Sequence, residues 1–231
     1  MKQNLPDYRI TKRLGPLVLQ ISKHWALVNQ VLPQAHALEV LDDVDLAAFS
    51  ALPATKDALE RELRELMQDA RIERAALGLA KRSLYERMKW FRQMMIAYWQ
   101  GSLWFSVLPL MPDVKAGAGE FLEPMREVAR MWPKVAALPP VVPSGEVVTP
   151  DGYSAGDFVA ELAGLESLWR ALYEAEQEVA IARGALMVFY RHAAAAVAAY
   201  GHGARSRLAP GHELLASIPR LWGKKKKGVS Q

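Results

Sequence analysis

The chain has no cysteine among its 231 residues, which excludes disulfides and thiolate metal sites and fits a reducing cytoplasm. Thr and Ile are scarce, while Ala, Leu, Glu, Arg and Met dominate, so the composition favours helix over strand. No long apolar run is present. The best one, SLWFSVLPLM at 102–111, is about half the ~20 residues that a membrane-spanning helix needs. The opening MKQNLPDYRITKRLGPLVLQISKHW has basic residues but no apolar core ending in small ones, so a secretory signal is not expected. These absences predict a cytoplasmic protein and leave assembly at a surface or outside the cell open.

Catalytic patterns are missing too. None of His24, His36, His192, His202 and His212 has a Glu three positions before it, and no His-x-x-x-His occurs. A di-metal helical bundle needs such pairs, because residues at i and i+3 point inward together. The run Leu-Asp-Asp-Val-Asp with Asp42, Asp43 and Asp45 lacks the Gly and distal Glu of a calcium loop. Asp45 reads instead as a helix cap. There is no phosphate-binding Gly-rich loop and no nucleophile elbow. No cofactor, metal or small-molecule substrate is therefore expected, and the reading is that of a non-enzyme.

What the chain does contain is periodicity. From Phe158, apolar positions advance by alternating four and three through Leu162, Leu165, Trp169, Leu172, Val179, Leu186, Tyr190, Ala193, Val197 and Tyr200. Only Glu176 and Arg183 interrupt this stripe, which marks one face of a long helix. Moving back 102 positions gives a second stripe, Leu63 to Tyr98, interrupted at the matching places by Arg74 and Lys81. AYWQGSLW at 97–104 and AYGHGARS at 199–206 share a Tyr-x-x-Gly ending. Gly101 and Gly201 or Gly203 suit the left-handed residue that closes a helix. Upstream, SKHWALVNQVLP at 22–33 and ARMWPKVAALP at 129–139 each close a shorter helix with Leu-Pro.

The expected architecture is all-α: an elongated four-helix bundle built from a duplicated short-helix/long-helix unit. Its long helices would run ~45 residues, roughly 65–70 Å at 1.5 Å each. An N-terminal arm covers 1–15, the first repeat 16–112 and the second 113–222, with a Pro-rich linker at 138–153. A basic disordered tail occupies 223–231. Within the linker, Val141-Val142 and Val147-Val148 could form a small ribbon. Ser154 with Asp157 reads as the cap of the second long helix.

Charge is unevenly placed on a chain of net +4. Residues 56–100 hold 10 Lys/Arg against 7 Asp/Glu, and 154–200 hold 3 against 6. Opposite signs suggest that the two long helices face each other or copies of each other. Along the stripe, Arg74, Lys81, Glu176 and Arg183 form a candidate charge network, since a lone buried charge costs several kcal/mol. Two readings of the segments 88–99 and 190–201, one bulky and one Ala-rich, stay open. They fill each other's space, or one meets a neighbouring subunit. Trp99, Trp104, Phe105, Leu108, Leu110 and Met111 form an apolar patch beyond a helix end. It either folds back over the bundle or stays open as an interface.

Residues 201–231 hold 7 Lys/Arg against 1 acid. Lys224, Lys225, Lys226 and Lys227, with Arg205, Arg207 and Arg220 upstream, could neutralise phosphates on nucleic acid or an anionic surface, making nucleic acid an alternative partner. The P-D-G-Y-S-x-x-D-F entry at 150–158, the long Ala/Arg/Glu helix and the S-I-P-R-L closing at 217–221 resemble a group of uncharacterised bacterial proteins. That resemblance implies duplicated helical units and no assigned activity, and it carries over no site residue. The leading expectation is a structural or scaffold protein that self-associates into a homo-oligomer, such as a filament or shell.

Overall fold

The structure, a computed structural model, describes residues 8–33, 37–41, 44–136 and 151–219. Among them the chain is all-α. Six helices follow in order: α1 (Tyr8–Val31), α2 (Leu46–Trp99), α3 (Leu103–Ser106), α4 (Ala118–Ala136), α5 (Ala155–Arg207) and α6 (Glu213–Ala216). Among the described residues the only β pairing is an isolated bridge between Val40 and Val44. The ribbon expected at 141–148 and most of the linker at 138–153 lie outside the described residues, as does the tail from 220 onward. Helix α1 already begins within the stretch read as an arm.

The long helices are longer than expected, 54 residues for α2 and 53 for α5. Their starts obey local chemistry. Asp45 accepts from the Ala48 N–H at 2.7 Å. At α5, the Ser154 hydroxyl accepts from the Asp157 N–H at 3.2 Å while Asp157 accepts from the Ser154 N–H at 2.8 Å. This reciprocal cap satisfies two donors that the first turn leaves free. At the other end, Gly101 (φ +85°) terminates α2 as expected. Gly201 and Gly203 do not terminate α5, which runs on to Arg207.

Gly203 has another use. A Cβ there would sit 3.0 Å from a methyl of Leu38. The bare backbone lets the segment around Leu38 and Val40 lie directly on the helix. Trp25 Nε1 donates to the Leu38 carbonyl at 3.0 Å, and Leu38 N–H donates to Asn29 Oδ1 at 3.1 Å, which fixes that segment.

The chain divides into two compact units, one comprising Met1–Glu65 with Ala180–Gln231, the other Leu66–Val179. In the first, α1 buries Leu14, Ile21, Trp25 and Val28 against Phe49 of α2 and Tyr200 of α5. The Trp25 ring lies 5.4 Å from Phe49 and 5.0 Å from Tyr200, centroid to centroid. In the second, α4 buries Phe121, Met125, Val128 and Trp132 against Phe91 of α2 and Phe158 of α5. Here the Trp132 ring lies 4.8 Å from Phe91 and 5.5 Å from Phe158. Each unit thus centres on one tryptophan set among aromatic rings, two for Trp25 and, with Trp90 and Tyr153 added, four for Trp132. Burying such side chains contributes several kcal/mol apiece.

Candidate interaction site

The apolar patch beyond α2 resolves mostly into core. Trp99 is buried, and Trp104, Phe105, Leu108 and Met111 pack half-buried against the core of the second unit. Gly101 reverses the chain, and Ser102 caps α3 by accepting from the Phe105 N–H at 3.2 Å. Arg92 then donates to the Pro109 carbonyl at 2.8 Å, holding the returning segment in place. Of the six residues in the candidate patch only Leu110 is open, at 78% exposure, together with its neighbours Leu103 and Val107.

The four stripe charges separate. Arg74 and Glu176 meet as an ion pair at 2.5 Å. Both remain about half exposed, so the pair contributes roughly 0–1 kcal/mol. Lys81 is buried but joins no carboxylate among the ion pairs described. Its ammonium donates to the Ala116 carbonyl at 2.8 Å and lies 4.7 Å and 4.8 Å from the Phe121 and Trp169 ring centres. Burial pushes its pKa down, opposed by the Asp113 carboxylate. Arg183 is exposed and belongs to the first unit, whereas Arg74, Lys81 and Glu176 belong to the second.

Acidic and basic helices do pair within the second unit. Besides Arg74 with Glu176, Arg126 of α4 holds Glu166 of α5 at 2.8 Å, and Arg87 of α2 holds Asp151 at 2.8 Å. The Arg87 guanidinium also stacks 4.2 Å from the Tyr153 ring centre. The Tyr153 hydroxyl in turn donates to Glu161 at 2.5 Å. Burial, then the hydrogen bond to Glu161, pushes the Tyr153 pKa up.

One buried polar site escaped the sequence reading. His24 of α1 has its Nδ1 2.5 Å from the Tyr200 hydroxyl and its Nε2 2.9 Å from the Leu214 carbonyl. A carbonyl can only accept, so Nε2 donates to it, and the Tyr200 hydroxyl, which can donate or accept, partners Nδ1. Ser217 Oγ lies 3.0 Å from the same Nε2. The histidine thereby ties α1, α5 and the segment around α6 together. A single His on an otherwise apolar helix face was its only sequence signal. Both ring nitrogens therefore have partners, and burial pushes the Tyr200 pKa up.

Also missed were aliphatic side chains that face outward on the long helices: Ile72 and Leu79 on α2, Ile181 and Val188 on α5. Each pair is one heptad apart and off the buried stripe. Apolar residues recurring outside the main periodic face were the signal that could have found them.

Compared with known protein families, curated proteins and solved structures, the chain matches none. Among the described residues no group of three or more His, Asp or Glu gathers as a metal site. No described helix is long and apolar enough to cross a membrane. Lys224, Lys225, Lys226 and Lys227 lie outside the described residues, so the nucleic-acid alternative rests on the sequence run alone.

Proposed function

We propose that the chain is a non-enzymatic structural protein, a four-helix bundle of a duplicated short-helix/long-helix unit that joins copies of itself into a homo-oligomer. The burial pattern supports the duplication. Stepping 107 positions from α1 to α4 carries buried Leu14, Val18, Ile21, Trp25 and Val28 onto buried Phe121, Met125, Val128, Trp132 and Val135. Stepping 109 positions from α2 to α5 carries Asp45 onto Ser154, the two cap residues. The same step carries Phe49 onto Phe158 and Phe91 onto Tyr200, the rings that clasp the two tryptophans. This register lies one heptad beyond the 102 suggested by the Tyr-x-x-Gly endings. A heptad shift preserves an apolar stripe, so the stripe could not choose between them.

Outward-facing residues carry the self-association reading. The 109 step places Ile72 (55% exposed) on Ile181 (71%) and Leu79 (67%) on Val188 (64%). Solvent exposure gives no folding reason for keeping aliphatics at corresponding places. Burying each against a neighbour would contribute about 1.5–3 kcal/mol. Four together reach the order of the ~4–15 kcal/mol entropic cost of association. A repeated surface also suits symmetric assembly.

Size-exclusion chromatography with light scattering tests this. The expected mass at tens of micromolar is a multiple of the 25.7 kDa chain, falling toward one chain when Ile72→Glu is combined with Leu79→Glu, or Ile181→Glu with Val188→Glu. A monodisperse single chain for the unaltered protein would overturn the proposal.

A further inference from the structure

The first unit is electrostatically lopsided in a way the second is not. Helix α1 carries Arg9, Lys12, Arg13 and Lys23 and no acidic residue. Helix α5 has no Asp or Glu after Glu178, yet carries Arg183, Arg191, Arg205 and Arg207. These two pieces pack on each other through Trp25 and Tyr200 and through His24. In the second unit, by contrast, α4 sets Glu120, Glu123 and Glu127 against three cations, and α5 supplies Glu176 to Arg74 of α2 and Glu166 to Arg126 of α4. Acidic residues of the first unit fall mainly in the stretch before α2, at Glu39, Asp42, Asp43 and Asp45, and on the start of α2, where Glu60 is already engaged by Lys56 and Tyr190.

Exposed aliphatics are interspersed with these cations. Leu19, Leu27 and Val31 on α1 are 57%, 48% and 53% exposed, alternating with exposed Arg13 and Lys23. On α5, Arg191, Arg205 and Arg207 are exposed beyond Ile181 and Val188, the pair assigned above to the contact between copies. Cations serve any phosphate-bearing partner, but the aliphatics discriminate. They gain nothing from a nucleic-acid backbone, whereas a bilayer offers them the boundary between headgroups and acyl chains. Single-stranded nucleic acid would instead call for exposed aromatics on which bases stack. Among the described side chains of these two pieces, Trp25, Tyr190 and Tyr200 are buried and Phe189 is partly buried.

We propose that α1 and the second half of α5 form a peripheral docking surface for an anionic lipid bilayer. Cations attract the surface charge, and the interspersed aliphatics enter the headgroup region. The proposal does not depend on self-association, since its aliphatic part, Leu19, Leu27 and Val31 of α1, is distinct from the residues assigned to the contact between copies.

Flotation of the full chain with vesicles tests it, comparing phosphatidylcholine alone with phosphatidylcholine mixed with phosphatidylserine. Binding is expected only to the anionic vesicles, weakening as salt shortens the screening length from about 10 Å at 0.1 M to about 3 Å at 1 M. Each cation near such a surface is worth about a five-fold change in affinity, so Lys23→Glu, Arg191→Glu and Arg207→Glu together should abolish binding. Leu19→Ser with Leu27→Ser should weaken it while sparing the charge. A chain ending at residue 222 should keep most of the binding. Loss of all binding on that truncation would assign it to the lysine tail and overturn the proposal. So would equal binding to both vesicle types, or binding to a DNA duplex without binding to anionic vesicles. Absence of vesicle binding with an oligomer that dissociates in salt would hand the surface to a second copy, also overturning it.

Discussion

Lys81 and Arg74 occupy the same stripe of the same helix, and their surroundings give them opposite energetic signs. Arg74 reaches Glu176 where both are half exposed, so water screens the pair and Arg74→Ala should change stability by less than about 1 kcal/mol. Lys81 is buried with one carbonyl and two aromatic faces for company. These contacts offset only part of the desolvation, which is why its pKa falls below the ordinary 10.5. A lowered lysine pKa means that the folded state disfavours the charge. The penalty is fully present at neutral pH and is relieved as pH rises through the folded pKa. Lys81→Met keeps the stem and removes the charge. Its expected effect near neutral pH is a rise in melting temperature of about 2–4 °C, the shift that ~1 kcal/mol gives in a chain of this size. The advantage over the unaltered protein should shrink toward pH 10.5. Thermal melts across that range check both the sign and the trend; a destabilised variant at every pH would show that the carbonyl and ring contacts outweigh burial.

At the scale of the element, the two Tyr-x-x-Gly endings teach what a local pattern can and cannot say. Both follow a long apolar stripe, and only one ends a helix. Gly101 sits at φ +85°, a conformation that a side chain resists. Gly201 stands inside α5 with ordinary helical backbone and van der Waals room for a Cβ. Opposite responses to one substitution follow. Gly201→Ala should stabilise by roughly 0.5–1 kcal/mol through helix propensity, and Gly101→Ala should destabilise by about 1 kcal/mol. Denaturant midpoints measure both, and a loss at Gly201 would mean that α5 stops there after all. The helix starts were legible because a cap depends on residues three apart, as at Asp45 and at Ser154 with Asp157. The buried stripe was legible for the same reason. The end of α5 was not, because Gly203 answers to Leu38, far away in the chain. Nor was the fate of Trp104 and Phe105, which turns on whether the chain after Gly101 folds back. Arg92 and Pro109 settle that by a hydrogen bond across 17 residues.

In the molecule as a whole, fold class followed from composition and period, while the division into compact units did not. Sequence segments are contiguous, but each unit takes part of α2 and part of α5, and only three-dimensional packing decides where along a helix its neighbours change. The buried tryptophans offer the sharpest test of the proposed duplication. Trp25 and Trp132 are both fully buried, Trp25 against two aromatic rings at 5.0–5.4 Å and Trp132 against four at 4.8–6.2 Å. Truncating a buried tryptophan to alanine costs about 3–5 kcal/mol, a large share of the ~5–15 kcal/mol that holds a typical domain together. If the two sites descend from one unit, Trp25→Ala and Trp132→Ala should incur losses within about 1 kcal/mol of each other. Hydrogen exchange should localise them differently. Trp25→Ala should lower amide protection in α1 and around Leu38, whose carbonyl loses its indole donor. Trp132→Ala should lower it in α4 and the segments packed on it. A variant at either site that unfolds with less than about 1 kcal/mol lost would mean that its tryptophan fills space without organising it. The correspondence at 107 and 109 would then reflect only the common arithmetic of helical heptads.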